Sequence, residues 1–354
     1  MSKALIAMSG GIDSAVAALL TKKKGFVCMG ATLRLVCSSV FGLSAENDKK
    51  VELDILDAKK VAERLNMPHQ AYNATEEFKA CVADYFVDAY EKGLTPNPCV
   101  VCNKLIKFGL LLDIAKENGC DYIVTGHYAR IEEKDGRFLL KKAVDETKDQ
   151  SYFLYTLSQH QLKHSLFPLG EMTKEEARKL AEENGFTNAC KRDSQDICFV
   201  PDGEYVNIIE HLSGKKYPEG NFISLDGNVL GTHKGIIRYT VGQRKGLGIA
   251  LSKPAYVVEK NVIENAVILG DNEDLFKDTL KTENFNWIMF SAPKEPVRAM
   301  VKIRYNHKAQ WATVIPLENG GVKIKFDEPQ RAIAKGQSAV AYDGDYVIGG
   351  GIII

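Results

Sequence analysis

The sequence predicts an α/β protein: an N-terminal doubly wound parallel sheet, a small central domain and a C-terminal β-barrel. Three observations carry this. Short apolar strand-like segments alternate with amphipathic helical ones through the first third of the chain, the pattern of a parallel sheet with crossover helices. After Asp202-Gly203 glycines become frequent and apolar runs shorten. From Val297 onward, short β-like runs recur to the end, as in a small barrel or sandwich. The 354 residues exceed one ordinary core. The expected domains span 1–203, 204–277 and 278–354.

Residues 3–8 are wholly apolar and short, which fits a buried parallel strand. A Gly pair follows, then Ala15 to Leu20, a strong helix-forming run. Lys22 to Lys24 suit the C-terminal end of that helix and Gly25 stops it. Residues 26–33 read as a second strand and 69–72 as a third. Apolar residues at Ile55, Ala58, Val61, Ala62 and Leu65 mark one face of a helix over 54–65. Further helices are expected over 75–92 and 106–118, ending at Gly93 and Gly119. Residues 121–127 form a strand running into a Gly turn. Thr173-Lys174-Glu175-Glu176 is a capping box that opens a helix ending at Gly185. The last third offers strands over 301–305, 313–315, 322–326, 338–342 and 347–352.

Lysine plus arginine equals aspartate plus glutamate, so the formal net charge is zero. A nucleic-acid partner would therefore have to be met by a local basic patch. No apolar run is long enough to span a bilayer, and the apolar stretch from Ala4 to Met8 is too short for a signal peptide. The expected location is cytoplasmic, with no membrane partner.

Ser9-Gly10-Gly11-Ile12-Asp13-Ser14 lies between the first strand and the first helix, where open α/β sheets bind ligands. Two glycines let backbone amides approach phosphate oxygens, and the helix N-terminus adds positive potential. Ser9 and Ser14 can donate hydroxyl hydrogen bonds. Asp13 would repel phosphate by itself and suits a magnesium ion bridging phosphates. The loop lacks the Gly-Lys-Ser/Thr ending of the common P-loop. A plain Gly-rich turn with an Asp or Ser cap is the alternative.

Eight cysteines are present, and an even count in a cytosolic protein is no disulfide framework. Cys28 and Cys120 read as small buried hydrophobes. Cys99 and Cys102 follow Pro96-Asn97-Pro98 at or near a helix start, where a thiolate is favoured. Cys198 stands between an acidic polar stretch and Phe199-Val200-Pro201. Four roles fit: a zinc site with Cys190 or His127 as fourth ligand, inert core thiols, a sulfur-transferring thiol pair, or a three-cysteine iron–sulfur cluster.

The loop resembles the signature of the ATP pyrophosphatase (PP-loop) superfamily, whose Rossmann-like domain cleaves ATP between the α and β phosphates. With the cysteines, the resemblance narrows to the tRNA-specific 2-thiouridylases and covers nearly the whole chain. Thr125-Gly126-His127-Tyr128-Ala129-Arg130 resembles the family's second nucleotide segment. Lys148-Asp149-Gln150-Ser151-Tyr152-Phe153-Leu154 resembles its tRNA-contacting segment, and Ser194-Gln195-Asp196-Ile197-Cys198-Phe199 its persulfide motif. Thr240 to Gly248 resembles the hallmark of its central domain. Lys302 to Tyr305 and Gly336 to Val340 resemble its C-terminal barrel.

The resemblance implies ATP-dependent replacement of the 2-oxygen of the wobble uridine by sulfur, with ATP and magnesium required. Partners would be tRNA and a persulfide-carrying sulfur donor protein. It places a persulfide on Cys198 and makes Cys102 the partner in a catalytic disulfide. It assigns ATP to Ala7, Met8, Ser9, Gly10, Gly11, Ile12, Asp13, Ser14, Leu33 and Gly126. Asn97, Pro98 and Cys99 would meet the target base. His127, Lys148, Asp149, Gln150, Arg304, Tyr305 and Gln337 would contact tRNA. Cys99 departs from the Asp found there in many members, which keeps open an iron–sulfur cluster on Cys99, Cys102 and Cys198. An amide ligase on the same loop is the rival activity. Basic clusters suited to RNA phosphates are Lys191-Arg192, Lys234, Arg238, Arg244-Lys245 and Arg304-His307-Lys308.

Overall fold

A computed structural model describes residues 1–186, 197–251 and 253–354. Its first layer is a five-stranded parallel sheet. The strands are β1 (Lys3–Ala7), β2 (Val27–Arg34), β3 (His69–Asn73), β4 (Tyr122–Val124) and, beyond a hairpin of β5 (Ala129–Lys134) and β6 (Arg137–Lys142), β7 (Ser165–Leu166). Their order is β3-β2-β1-β4-β7. The chain winds outward from β1 through β2 and β3, then returns to β1's other side, so the order reverses at β1. Ala4, Leu5 and Ile6 are fully buried, as a strand covered on both faces must be. Helix α1 (Ile12–Lys23) follows directly, and Gly25 at φ +86° turns the chain out of it. The expected doubly wound sheet is present.

The helices over 75–92 and 98–117 are continuous but not uniform. Each contains a π-helical stretch, Lys79–Ala83 in one and Asn103–Leu110 in the other. Sequence periodicity assumes 3.6 residues per turn, so it places the second helix at Ile106. The helical chain in fact begins at Pro98 and crosses the π-turn before Leu111–Glu117.

The central sheet runs β10-β11-β8-β9, from β8 (Gly220–Ser224), β9 (Val229–His233), β10 (Tyr256–Asn261) and β11 (Ala266–Gly270). Its Phe222, Val257 and Val267 share one core with Phe78, Phe86, Cys102 and Phe199 of the first domain. The last part comprises β12 (Phe276–Trp287), β13 (Val297–Lys302), β14 (Gln310–Pro316), β15 (Val322–Arg331), β16 (Ser338–Asp343) and β17 (Tyr346–Ile353). Pairing of β12 with both β15 and β17 closes a six-stranded barrel, the expected C-terminal architecture. The β5–β6 hairpin extends the barrel sheet, with Tyr346 opposite Lys141. Arg137 fastens it by donating from Nε to the Ile288 carbonyl at 2.6 Å. No helix among the described residues is long and apolar enough to cross a membrane.

Candidate active site

The loop after β1 is shaped by backbone needs. Gly10 has φ +73°, and a Cβ there would press into the backbone of Asp54. Gly11 is the N-cap of α1 and has no side chain to cap with, so the first-turn amides stay uncapped. Ser14 turns inward: its Oγ donates to the Gly11 carbonyl at 2.9 Å and accepts from the Ser9 amide at 3.2 Å. The plain-turn alternative, an Asp or Ser side chain capping α1, is therefore not what forms. Gly126 closes the other side, where a Cβ would lie 2.8 Å from the Asp13 carbonyl carbon and 3.0 Å from the Ser14 nitrogen. These bare glycines leave a cradle of backbone amides that suits phosphate oxygens.

Asp13 is engaged on three sides. Lys174 Nζ stands 2.8 Å from each carboxylate oxygen, and the Tyr128 hydroxyl donates to Oδ1 at 3.0 Å. Lys174 is buried, the first residue of the helix Lys174–Glu183. The capping box is present: Thr173 Oγ1 accepts from the Glu176 amide at 3.2 Å. Of the other residues assigned to ATP, Ala7 ends β1 and Met8 follows it. Thr32 Oγ1 donates to the Met8 carbonyl at 2.7 Å, and Leu33 lies half-buried on β2.

The sulfur side is gathered from two distant segments. Pro98 opens the short helix Pro98–Cys102, with Asn97 as its N-cap. Cys102 is buried within the shared core. Cys198 is held by its neighbour Phe199, whose ring packs edge-on against Phe78 and Phe86 at 5.5 and 5.3 Å. Cys99 and Cys198 keep accessible surface, yet protein packed round each thiol withholds water. Burial, reinforced by Cys102 and Cys99, pushes Cys198 up to about 12. Burial pushes Cys102 up to about 11 and raises Cys99 as well. A helix start does not lower these thiols, because desolvation outweighs it. Among the described residues, the one cation that opposes all three shifts is Lys107. It has no ion pair or hydrogen bond among the described residues.

All seven described cysteines are free thiols, and Cys28 and Cys120 are buried as expected. Among the described residues no group of three His, Cys, Asp or Glu side chains is arranged to hold a metal ion. Cys190, Lys191-Arg192 and Asp193 to Asp196 lie outside the described residues.

The two halves meet at His127. It follows Gly126, its Nδ1 lies 2.7 Å from the Thr125 hydroxyl, and its ring packs 5.8 Å from Phe108 on the cysteine-bearing helix. Burial, and then Lys107, holds its imidazole neutral, well below the ordinary histidine range.

Known proteins match this arrangement along the whole chain. The family model described as tRNA methyl transferase HUP domain covers residues 2–202. Its companions, a PRC-barrel domain and an aminomethyltransferase β-barrel domain, cover 207–271 and 277–353. The tRNA-specific 2-thiouridylase MnmA of Clostridioides difficile is 48% identical over 361 residues, spanning 99% of this chain and 98% of the relative. That of Clostridium acetobutylicum is 46% identical over 351 residues, 99% of each. The chain belongs to the tRNA-specific 2-thiouridylase family. Among solved structures, an NMN synthetase from Francisella tularensis overlaps 61% of this chain and 78% of its own, at 18% identity and TM-score 0.35.

In this 2-thiouridylase family member, the residues assigned to tRNA divide into two kinds. Some make internal contacts. Asp149 is buried, which raises its carboxyl, and accepts from Ala143 and Ser151 amides at 3.1 Å each. Gln150 Oε1 accepts from the Tyr128 amide at 3.0 Å. Gln337 Nε2 donates to the Thr95 carbonyl at 2.9 Å, so the barrel braces the loop before Asn97. Others face outward. Tyr305 pairs with Phe153 at 4.5 Å beside the half-buried Arg304, and Lys234, Arg238, Arg244, Lys245 and Lys308 are exposed. Asn103 Nδ2 donates to the Phe153 carbonyl at 3.1 Å and so ties the cysteine helix to this aromatic pair.

Sequence reasoning passed over Lys174 and Lys107. Lys174 read as part of a helix cap, and its partner Asp13 lies 161 positions away. Lys107 acts on Cys102 from five positions along a helix that becomes π-helical at Asn103, and i→i+5 bonding brings residues at that spacing closer together. In an α-helix they would diverge by about 140°.

Proposed function

We propose that this chain activates the 2-oxygen of the tRNA wobble uridine with ATP and replaces it with sulfur carried as a persulfide on Cys198. The supporting observation is a run of neighbours: Gly126 packs against Asp13 and Ser14 of the phosphate loop, the adjoining His127 packs on Phe108 of the cysteine-bearing helix, and Lys107 of that helix acts on His127 and on all three thiols. The uridine O2 attacks the α-phosphate, the α–β bridging P–O bond breaks, and pyrophosphate leaves. The terminal persulfide sulfur attacks C2, and the oxygen departs with AMP. The Cys102 thiolate attacks the Cys198 sulfur; the S–S bond breaks, its outer sulfur stays on the base, and a Cys102–Cys198 disulfide forms. A thiol reductant returns both cysteines to thiols, and a persulfide donor protein reloads Cys198.

Asn97, Pro98 and Cys99 flank the base, which must leave its stack to reach the site. Tyr305 with Phe153 offers an aromatic surface beside it, and the exposed basic residues supply phosphate contacts. Magnesium fits the oxygen chemistry of Asp13 and would neutralise phosphate charge, held by one carboxylate and the nucleotide itself. The described thiols are not arranged as a metal site, so no step runs through an iron–sulfur cluster.

The test is direct. The purified chain is incubated with ATP, magnesium, a persulfide source and unmodified tRNA, and the wobble nucleoside is identified by mass spectrometry. The expected product is 2-thiouridine, with one AMP and one pyrophosphate per sulfur. Absence of thiolation, a methylated nucleoside instead, or a strict requirement for stoichiometric bound iron would each defeat this reading.

A further inference from the structure

Leu280, Ala299, Ala312 and Ile324 point into the barrel and share its core. Strand alternation therefore turns their neighbours Lys281, Arg298, Trp311 and Lys325 outward. Tryptophan is on average highly buried, yet Trp311 keeps 52% of its surface exposed. The Arg298 guanidinium lies 5.3 Å from its ring centroid. Asp327 holds Arg298 in place, accepting from Nη1 at 2.7 Å. An exposed ion pair of this kind adds little stability. Its effect is to fix a cation against an exposed indole.

The lysines on this wall are set against one another. Register places Lys281 directly opposite Lys323, and Lys325 and Arg298 flank Thr313 from either side. Like charges directly opposite in a sheet are destabilising. Lys281, Lys323 and Lys325 have no ion pair among the described residues. In a chain of zero net charge, this is a local concentration of cations. The wall is continuous with the site. Met300, on the same face of β13 as Arg298, stands opposite Trp311 and packs on the same core as Tyr305 and Phe153. Lys302, next on that face, has its ammonium 6.0 Å from the Tyr305 ring centroid.

We propose that Trp311 is a stacking platform for an unpaired base of the tRNA bound at this site, with Lys323 and Lys325 meeting the phosphates beside that nucleotide. Every base has a π-face, so an exposed indole among cations suits a single-stranded segment of any sequence. Lysine is depleted from protein–protein interfaces, whereas phosphates attract it, and this favours RNA over a protein on the wall. The inference rests on the tRNA reading of the site and adds a contact remote from the reacting atoms.

The test uses the full chain and unmodified tRNA. The chain has two tryptophans, so Trp287→Phe leaves Trp311 as its sole indole. Adding tRNA should quench that fluorescence saturably. Trp311→Leu should weaken tRNA binding by about fivefold to a hundredfold, the range for loss of one base stack. Trp311→Phe should restore part of it, and kcat at saturating tRNA should hold. Lys323→Gln/Lys325→Gln should reduce the slope of log affinity against log salt by about 1 to 2. Should Trp311→Leu not fold, the quenching and the salt slope still decide.

Unquenched Trp311 emission, or unchanged tRNA affinity in Trp311→Leu, would overturn the inference. So would a defect seen with a persulfide donor protein but absent with inorganic sulfide, which would make the wall a protein-docking surface. If the wild-type chain binds no tRNA, the tRNA reading itself fails and the inference falls with it.

Discussion

The two halves of the site are built on opposite principles. The phosphate half is made of backbone: glycines, an uncapped helix start, and an aspartate already met by Lys174 and Tyr128. It is complete before any ligand arrives. The sulfur half is made of side chains whose reactive form is suppressed, with thiols pushed up to about 11 and 12 by burial. A thiol in that state neither attacks nor leaks its sulfur. A persulfide is more acidic than a thiol, so loading Cys198 with sulfur would supply the first nucleophile, while Cys102 would still have to lose its proton before it attacks in turn. On the proposed mechanism, nucleotide binding would be preorganised whereas sulfur chemistry would wait for its cargo.

The sharpest way to break the comparison is to disable one half and watch the other. Cys198→Ser should reduce thiolation by at least about a thousandfold. Pyrophosphate release with ATP and tRNA should continue, as measured by a coupled phosphate assay. Loss of pyrophosphate release in that variant would show that the halves are not separable. An amide ligase on the same loop would instead keep full turnover without this sulfur.

On the phosphate side, Gly10→Ala forces a Cβ at φ +73° into the Asp54 backbone. Strain of this kind costs about 1–3 kcal/mol, and the packing clash adds to it. Both denaturation midpoint and ATP affinity should fall, while alkylation of Cys198 at fixed pH should not. A change in alkylation would mean that the loop and the thiols are mechanically coupled.

How far these halves were legible in the sequence follows the same division. Backbone chemistry is local, so the strand, the Gly pair and the helix after it could be read directly from residues 3 to 25. Side-chain chemistry is tertiary. Cys102 and Cys198 are 96 positions apart and meet because Phe199 packs into a core with Phe78 and Phe86. The π-turn at Asn103–Leu110 has no signature in a 3.6-residue period. Lys174 carried a correct local meaning, the capping box, that hid its second one. The β5–β6 hairpin, embedded in the first domain's sequence, belongs to the barrel's sheet, and no local pattern announces that pairing.

The pH dependence sharpens the sulfur half. The groups acting on Cys198 are Cys102, Cys99 and Lys107. Because the folded chain holds these thiols protonated above the usual thiol range, it binds more protons than the unfolded chain there. Stability should therefore fall as pH rises past the ordinary thiol pKa near 8.5. Alkylation of Cys198 by iodoacetamide should be slow at neutral pH and climb steadily with pH. Lys107→Met removes the opposing cation found among the described residues, so the profile should move to higher pH, slowing alkylation at pH 8 by about twofold to fivefold. An unchanged profile would mean that Lys107 does not act on the sulfur site.

The smallest expected effect concerns how the barrel serves the site. Gln337 donates to the Thr95 carbonyl at 2.9 Å, and the Thr95 amide donates back to the Lys335 carbonyl at 2.8 Å. This brace fixes the chain just before Asn97 and Pro98, which the proposed mechanism places at the target base. Removing one neutral hydrogen bond costs about 0.5–1.5 kcal/mol. Gln337→Ala should therefore raise the KM for tRNA by about twofold to tenfold, with ATP affinity unchanged. If Gln337 instead met tRNA directly, a tRNA lacking its contact would bind wild type and variant alike. If it acts through the loop, every tRNA substrate should weaken by the same factor, because what is lost is the shape of the base pocket.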